Sequence, residues 1–198
     1  DMAIYAEGSV AKTGVIDLGG RHITKDIAMG LGTTFTTAED IKVRYAHVSR
    51  SAVEGDEVIE ISAFGDESLA VVPRADVCEI VGMRTEEMFD HFAREIKRSG
   101  LDSLLPAGVV ITGGTANLRG VREFARMRLG LPVRIGTPTG LQGLMEAISG
   151  PAYATAVGLL LWGKEREDAA RDERSAPPGG GTRYRRLIDW LRVLLPRT

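Results

Sequence analysis

The stretch VVITGGTANLRGVREFARMRLGLPVRI limits the fold most, because its apolar run Val109–Ile111 ends at Thr112 and meets Gly113 and Gly114 before a helical pattern begins. So short an unbroken apolar run predicts a strand buried on both faces, as in the central sheet of an α/β domain. Glycines at the strand's carboxyl end let a ligand approach where a Cβ would block it. The next helix, predicted over roughly residues 118–129, gathers Leu118, Val121, Phe124, Ala125 and Leu129 on one side and stops at Gly130. Ligands of open α/β sheets bind beyond the carboxyl ends of strands, where helix N-termini offer free N–H groups, so this turn is a candidate nucleotide contact. Turn chemistry alone also accounts for a Gly-Gly between strand and helix, and the choice rests with the rest of the chain.

Upstream, Met2 to Ala6 and Val10 to Leu18 read as a hairpin around Glu7-Gly8-Ser9. Gly19 and Gly20 then precede a helix with Ile23, Ile27, Ala28 and Leu31 on one face, and Thr24 is a candidate cap. A second helix opens with Thr37 as N-cap and Asp40 three residues on, and Ile41, Tyr45 and Val48 can face the core. Glu39 and Lys42, three apart, share another face, either as a surface ion pair or as the flank of a polar ring. EVIEISAF alternates as a half-buried strand, and a second strand from Leu69 ends at Pro73. A long helix runs from Asp76 to about Ser99, with a break or bend at Gly82 and Met88, Phe89, Phe92 and Ile96 as its stripe. Arg84, Arg94, Lys97 and Arg98 read most simply as its solvated face. PVRIG predicts a short strand, and PAYATAVGLLLWG, apolar on nearly every side, a buried helix closing against the sheet.

Past Gly163 the character changes. KEREDAARDERSAPPGGGT carries no bulky apolar residue and predicts a flexible linker over residues 164–182. Beyond it, RYRRLIDWLRVLLPRT is strongly patterned: Tyr184, Leu187, Ile188, Leu191, Leu194 and Leu195 fall on one helical face with Trp190 beside them, and Arg185, Arg186, Asp189 and Arg192 lie opposite. Five arginines against one aspartate give residues 183–198 a net +4 in a protein of formal net charge −2. A helix this short is marginal in water by itself, which points to an interfacial membrane anchor, with docking on its own domain or a partner groove as the alternative. The overall net charge argues against a nucleic-acid binder. The single cysteine, Cys78, excludes an internal disulfide and fits a reducing compartment. His22, His47 and His91 lie at no metal-ligand spacing. Nothing around Asp1 resembles a translation start, and the expectation is the C-terminal part of a longer chain.

The succession DLGGRHITKDIAMGL, AEDIKVRYA, VVITGGTANLRGV, VRIG and PAYATAVGLLLWG, closed by a linker and a basic amphipathic helix, resembles the FtsA family of bacterial cell-division proteins, membrane-tethering relatives of actin. The resemblance covers nearly the whole chain. It implies an α/β, actin-like (ribonuclease H-like) ATPase lobe: residues 1–163 as the second lobe, with a smaller 2B-like subdomain over about 17–98 inserted in a 2A-like one, then a disordered linker and, over 183–198, a membrane-targeting helix. It implies that Gly113, Gly114 and Thr115 form the adenosine motif, that Glu39 and Lys42 flank the nucleoside, and that Gly19 and Gly20 turn near the sugar and phosphates. ATP is the implied cofactor, with magnesium in the complete protein, acting chiefly as a conformational and polymerisation ligand; the phosphate loops are expected ahead of Asp1. Where relatives often carry Glu-Pro-Arg, this chain has Gly82-Met83-Arg84. The implied partners are the C-terminal peptide of FtsZ, with Arg84 meeting its acidic groups, copies of the same protein in actin-like filaments, other divisome proteins, and anionic lipid at the inner face of the cytoplasmic membrane, where Arg185, Arg186, Leu187, Ile188, Trp190, Leu191, Arg192, Leu194 and Leu195 attach. A chaperone-like or sugar-kinase-like ATPase and a pilus-assembly adaptor of the same superfamily are the rival readings.

Overall fold

The computed structural model describes residues 1–62, 69–140 and 148–175, and residues 63–68, 141–147 and 176–198 lie outside them. Two compact units divide the chain, Asp1–Thr155 and Ala156–Thr198. The first opens with an antiparallel hairpin of β1 (Met2–Ala6) and β2 (Ser9–Gly14). Glu7 and Gly8, both at positive φ, make its two-residue turn, whose twist suits paired strands. The pairing stops at Gly14, short of the predicted Leu18.

Helix α1 (Gly20–Leu31) buries Ile23 and Ile27 completely, as its apolar period requires. Its N-cap is Gly19, so the expectation that Thr24 caps it is wrong: Thr24 lies a full turn inside. Helix α2 (Phe35–Tyr45) is capped by Thr34, whose hydroxyl accepts from the Thr37 N–H at 3.1 Å. Thr37 therefore sits in the first turn instead of at the cap, because Thr34 offers the same chemistry and takes the extended backbone. Ile41 and Val48 are buried as predicted, but Tyr45 is exposed.

The hairpin of β3 (Val58–Ser62) and β4 (Leu69–Pro73) turns Ile59 and Ile61 inward. Helix α3 (Arg74–Ser99) starts two residues before the predicted Asp76 and runs through Gly82 without a break. One core joins Ile23, Ile27, Ala38, Ile41, Ala46, Ile59, Ile61, Val77, Val81 and Met88. A second joins Val48 and Phe89 to Val121 and Ala125 of α4 (Val121–Leu129). Strands β5 (Val109–Ile111) and β6 (Val133–Ile135) pair in parallel, with α4 between them in sequence.

Four expectations about this region fail. Val110 is 48% exposed, so β5 is not buried on both faces: it pairs with β6 alone among the described residues and turns Ile111 toward the second core. The glycine turn leads first into a 3-10 helix, Gly114–Asn117, and α4 begins at Val121 after Gly120 in the left-handed conformation, so α4 does not start at the glycine turn. Helix α5 (Ala154–Ser175) continues through the charged stretch, so residues 164–175 are helical and not a flexible linker; the rest of the predicted linker lies outside the described residues. Charge without bulk lowers a stretch's capacity to bury surface but leaves its helix propensity intact, and Glu167 and Arg171 pair at 3.0 Å one turn apart. Leu159, Leu160 and Trp162 of α5 are exposed, contrary to the expected buried helix, and Arg166 covers the Trp162 ring at 4.8 Å. Periodicity reports how many faces are apolar, not what covers them.

Gly82 is set by a close approach. A Cβ there would stand 2.8 Å from the carbonyl oxygen of Val48. Alanine in an exposed helix interior gains about 1 kcal/mol over glycine, yet this contact forces the segment beneath to move. Gly82→Ala is therefore expected to destabilise the folded chain by roughly 1–3 kcal/mol, read as a lower urea midpoint with unchanged slope; a midpoint above the parent's would remove the contact from the account.

Candidate functional site

The site is built where the first turn of α1 meets α2 and the 3-10 helix after β5. Gly19 is extended, and its N–H donates to Nδ1 of His22 at 3.2 Å. Thr24 comes four residues after Gly20 and is wholly buried. Glu39 and Lys42 project from α2 toward it. The Lys42 ammonium donates to Oε2 of Glu39 at 2.7 Å, to Oγ1 of Thr24 at 2.8 Å and to the Gly20 carbonyl at 3.2 Å, which uses all three of its protons. The Thr24 hydroxyl, accepting from Lys42, shares its own proton between Glu39 Oε2 and the Gly20 carbonyl. The Lys42 side chain is 15% exposed and that of Glu39 42%.

Burial works against ionisation of Glu39, but the hydrogen bonds from Lys42 and Thr24, with the charges of Lys42 and Arg21, outweigh it and hold the carboxyl below its ordinary range. Both bonds fall on Oε2, and Oε1 has no partner among the described residues. The result is an acceptor-only oxygen on a fixed, charged group.

Gly20 also touches the second element. A Cβ on Gly20 would meet Oγ1 of Thr115 at 2.5 Å, so bare backbone is what lets α1 close on the 3-10 helix. That helix is hung from the sheet and from Pro151: the Gly113 N–H donates to the Pro151 carbonyl at 2.9 Å, and the Thr112 hydroxyl to the Gly136 carbonyl at 2.9 Å. Gly113 is at φ +91°, a conformation other residues rarely adopt. Around Gly19, Gly113 and Gly114 a Cβ would meet no atom within 4 Å. The arrangement leaves open space beside the backbone of the glycine turn and, on Glu39, a carboxylate oxygen able to accept a hydrogen bond.

Of the residues singled out from sequence, Gly20, Glu39, Lys42 and Thr115 come together, with Gly113 and Gly114 two and one residues upstream of Thr115. Thr24 joins them; its signal was the spacing of four from Gly20, which reads equally as a cap. Arg84 belongs to a different cluster. Its guanidinium pairs with both carboxylate oxygens of Asp26 on α1 and with Glu87, so it ties α3 to α1 and is not a freely solvated cation. Residues 185–195 of the tail lie outside the described residues. Among the described residues no group of three or more His, Cys, Asp or Glu side chains is placed to hold a metal ion, and no helix is long and apolar enough to cross a membrane.

Comparison with known proteins places the chain in a family. Residues 1–158 match the family model for cell division protein FtsA. Among individual proteins, the chain is 38% identical to cell division protein FtsA of Pseudomonas aeruginosa over 84% of its own length, 34% identical to that of Rhizobium meliloti over 96%, and 34% identical to that of Escherichia coli K12 over 97%. It spans 40%, 45% and 48% of those relatives' lengths. Among solved structures it resembles MreB 5 of Spiroplasma citri bound to AMPPNP, with a TM-score of 0.62 at 16% identity over 86% of this chain and 51% of that one. The same protein bound to ADP matches with a TM-score of 0.60 at 15% identity, over 85% and 51%. The fold is actin-like.

The polar cluster has a pH signature. Glu39 has a lowered pKa in the folded state, so its contribution is present above the ordinary value of 4.5 and is lost as pH falls through the lower, folded value. Lys42→Met removes the main donor and is expected to cost on the order of 1 kcal/mol at pH 7, modest because Glu39 is part-exposed. The difference in urea midpoint between parent and variant should shrink as pH falls below 4.5 and through the lower, folded value, where Glu39 becomes protonated. A difference that stays constant from pH 7 to 3 would contradict the assignment.

Proposed function

The chain belongs to the FtsA family of cell division proteins, and from that premise we propose that its complete parent binds ATP and tethers FtsZ polymers to the inner face of the cytoplasmic membrane at the division site, where it recruits further division proteins. The observation that carries the nucleotide part is the junction at Gly20. There the Glu39–Lys42–Thr24 network abuts Thr115, beside the bare backbone of Gly113 and Gly114. AMPPNP and ADP bound to MreB 5 of the same fold support a nucleotide as the ligand. ATP, with magnesium in the complete protein, is read here as a conformational and polymerisation ligand for actin-like filaments, with weak hydrolysis at most. This chain supplies only the adenosine side of the cleft.

Residues 17–98 form the 2B-like subdomain in this reading and carry the surface for the FtsZ C-terminal peptide. Arg84 already holds Asp26 and Glu87, so an acidic group of the peptide reaches it by displacing Glu87, the more exposed of the two at 48% against 24%. The exchange trades one ion pair for another, and its worth is set by the rest of the contact surface.

Gly114 offers the cleaner test of the nucleotide site. A Cβ there meets nothing within 4 Å and the backbone is not in the left-handed region, so Gly114→Val fills the space over the turn without disturbing the fold. In the complete parent this variant is expected to abolish ATP binding by calorimetry while its thermal midpoint stays put. The present chain alone is expected to bind ATP far more weakly than a micromolar Kd, about −8 kcal/mol. Parental affinity in Gly114→Val would remove the turn from the site.

The tail carries the membrane part on sequence alone. Partial burial of Leu187, Ile188, Leu191, Leu194 and Leu195 among acyl chains contributes on the order of 1 kcal/mol each, and each arginine near anionic headgroups about as much. Leu191→Glu puts a charge in the centre of the apolar face and should release the parent from vesicles containing anionic lipid at physiological salt. Arg186→Ala should only weaken attachment and make it more salt-sensitive. Co-sedimentation decides: a Leu191→Glu protein that pellets like the parent would place the tail on protein instead of lipid.

A further inference from the structure

Thr24 and Thr85 are both buried threonines inside helices, and both donate to the carbonyl four residues back, Thr24 to Gly20 at 3.0 Å and Thr85 to Val81 at 2.7 Å. For Thr85 that ordinary helical back-bond is its side chain's hydrogen bonding among the described residues. The oxygen of Thr24 does more: it accepts from Lys42 at 2.8 Å and meets Oε2 of Glu39. Without it, the Lys42 ammonium has one buried acceptor fewer and Glu39 one donor fewer, and both long side chains regain rotamers that the network removes.

We propose that Thr24 is a positioning residue of the nucleotide site, its buried hydroxyl locking Lys42 and Glu39 so that the free Glu39 Oε1 is presented as a fixed hydrogen-bond acceptor. Lys42 then acts as a strut, since its three protons are spent within the protein, and Glu39 is the group that touches the ligand. An acceptor-only oxygen selects a donor, which a nucleoside supplies as a sugar hydroxyl or a base amine. The inference rests on the nucleotide reading above and adds to it a residue that never contacts the ligand.

The test uses the complete parent and ATP, with affinity measured by calorimetry and folding by thermal melting. Thr24→Val keeps the shape and deletes the hydroxyl; it is expected to weaken ATP binding roughly tenfold. Thr24→Ser keeps the hydroxyl and should stay within about threefold of the parent. Thr85→Val, an equally buried change in α3, should leave affinity unchanged. Because Thr24 acts through Glu39, Thr24→Val made in a Glu39→Gln background should cost about twofold or less, a non-additivity that a purely structural role does not produce. If Thr24→Val fails to melt cooperatively, Thr24→Ala is measured against the same criteria. Parental affinity in the hydroxyl-less variant, or the same loss with and without Glu39, overturns the proposal. Loss of binding in Gly114→Val alongside an unaffected Thr24→Val overturns it alone. Unchanged binding in both Gly114→Val and Glu39→Gln overturns the nucleotide site and this proposal with it.

Discussion

The first unit depends on how closely the segment Ala46–Val48 is held between two glycines. On one side the Val48 carbonyl lies against Gly82 of α3, and on the other His47 and Val48 lie against Gly120, where a Cβ would meet the His47 ring at 2.6 Å. The Val48 N–H donates to the Arg119 carbonyl at 3.1 Å, and His47 and Arg119 form a parallel bridge. Ala46 belongs to the core under α1 and the β3–β4 hairpin, while Val48 belongs to the core under α4. Three residues thus join two hydrophobic cores, and side chains at either glycine would force them apart. Close packing leaves no slack for such a shift.

This explains both what sequence pattern conveyed and what it concealed. The stripes of α1 and α3 were legible because burial repeats with the helical period, and Ile23, Ile27, Met88, Phe89 and Ile96 are buried as that period demands. The hairpins were legible from alternation and turn residues. Gly82 reads in sequence as a break or bend, and α3 continues through it unbroken, because a glycine in a helix reports a local preference, and the preference here yields to a neighbour more than thirty positions away in sequence. The helix after the glycine turn was placed too early for the same reason: Gly120 is set by the packing of His47 and Val48 against it, and that contact is not local.

The site was legible in proportion to how much of it is side-chain chemistry. Glu39 and Lys42 announced themselves by spacing, and the glycines by composition. Whether the pair is a surface ion pair or a fixed acceptor depends on Thr24 and Gly20 of α1, which hydrogen-bond to it, and Gly20 in turn lies against Thr115. Arg84 shows the converse. A cation that looks solvated in the helical pattern spends its charge on Asp26, 58 residues away, and so serves as a brace between α1 and α3.

The continuity of α5 through its charged stretch has a consequence of its own. A random coil hands on position loosely and direction not at all, whereas a helix hands on both. Over its 22 residues α5 advances about 33 Å and turns about 100° with each residue. Its charged half is a shaft with a phase. Adding two residues there lengthens it by only about 3 Å but swings its far end at Ser175 through roughly 200° about the helix axis, while adding seven leaves the heading nearly unchanged at more than three times the extension. The shaft therefore sets a bearing together with a distance.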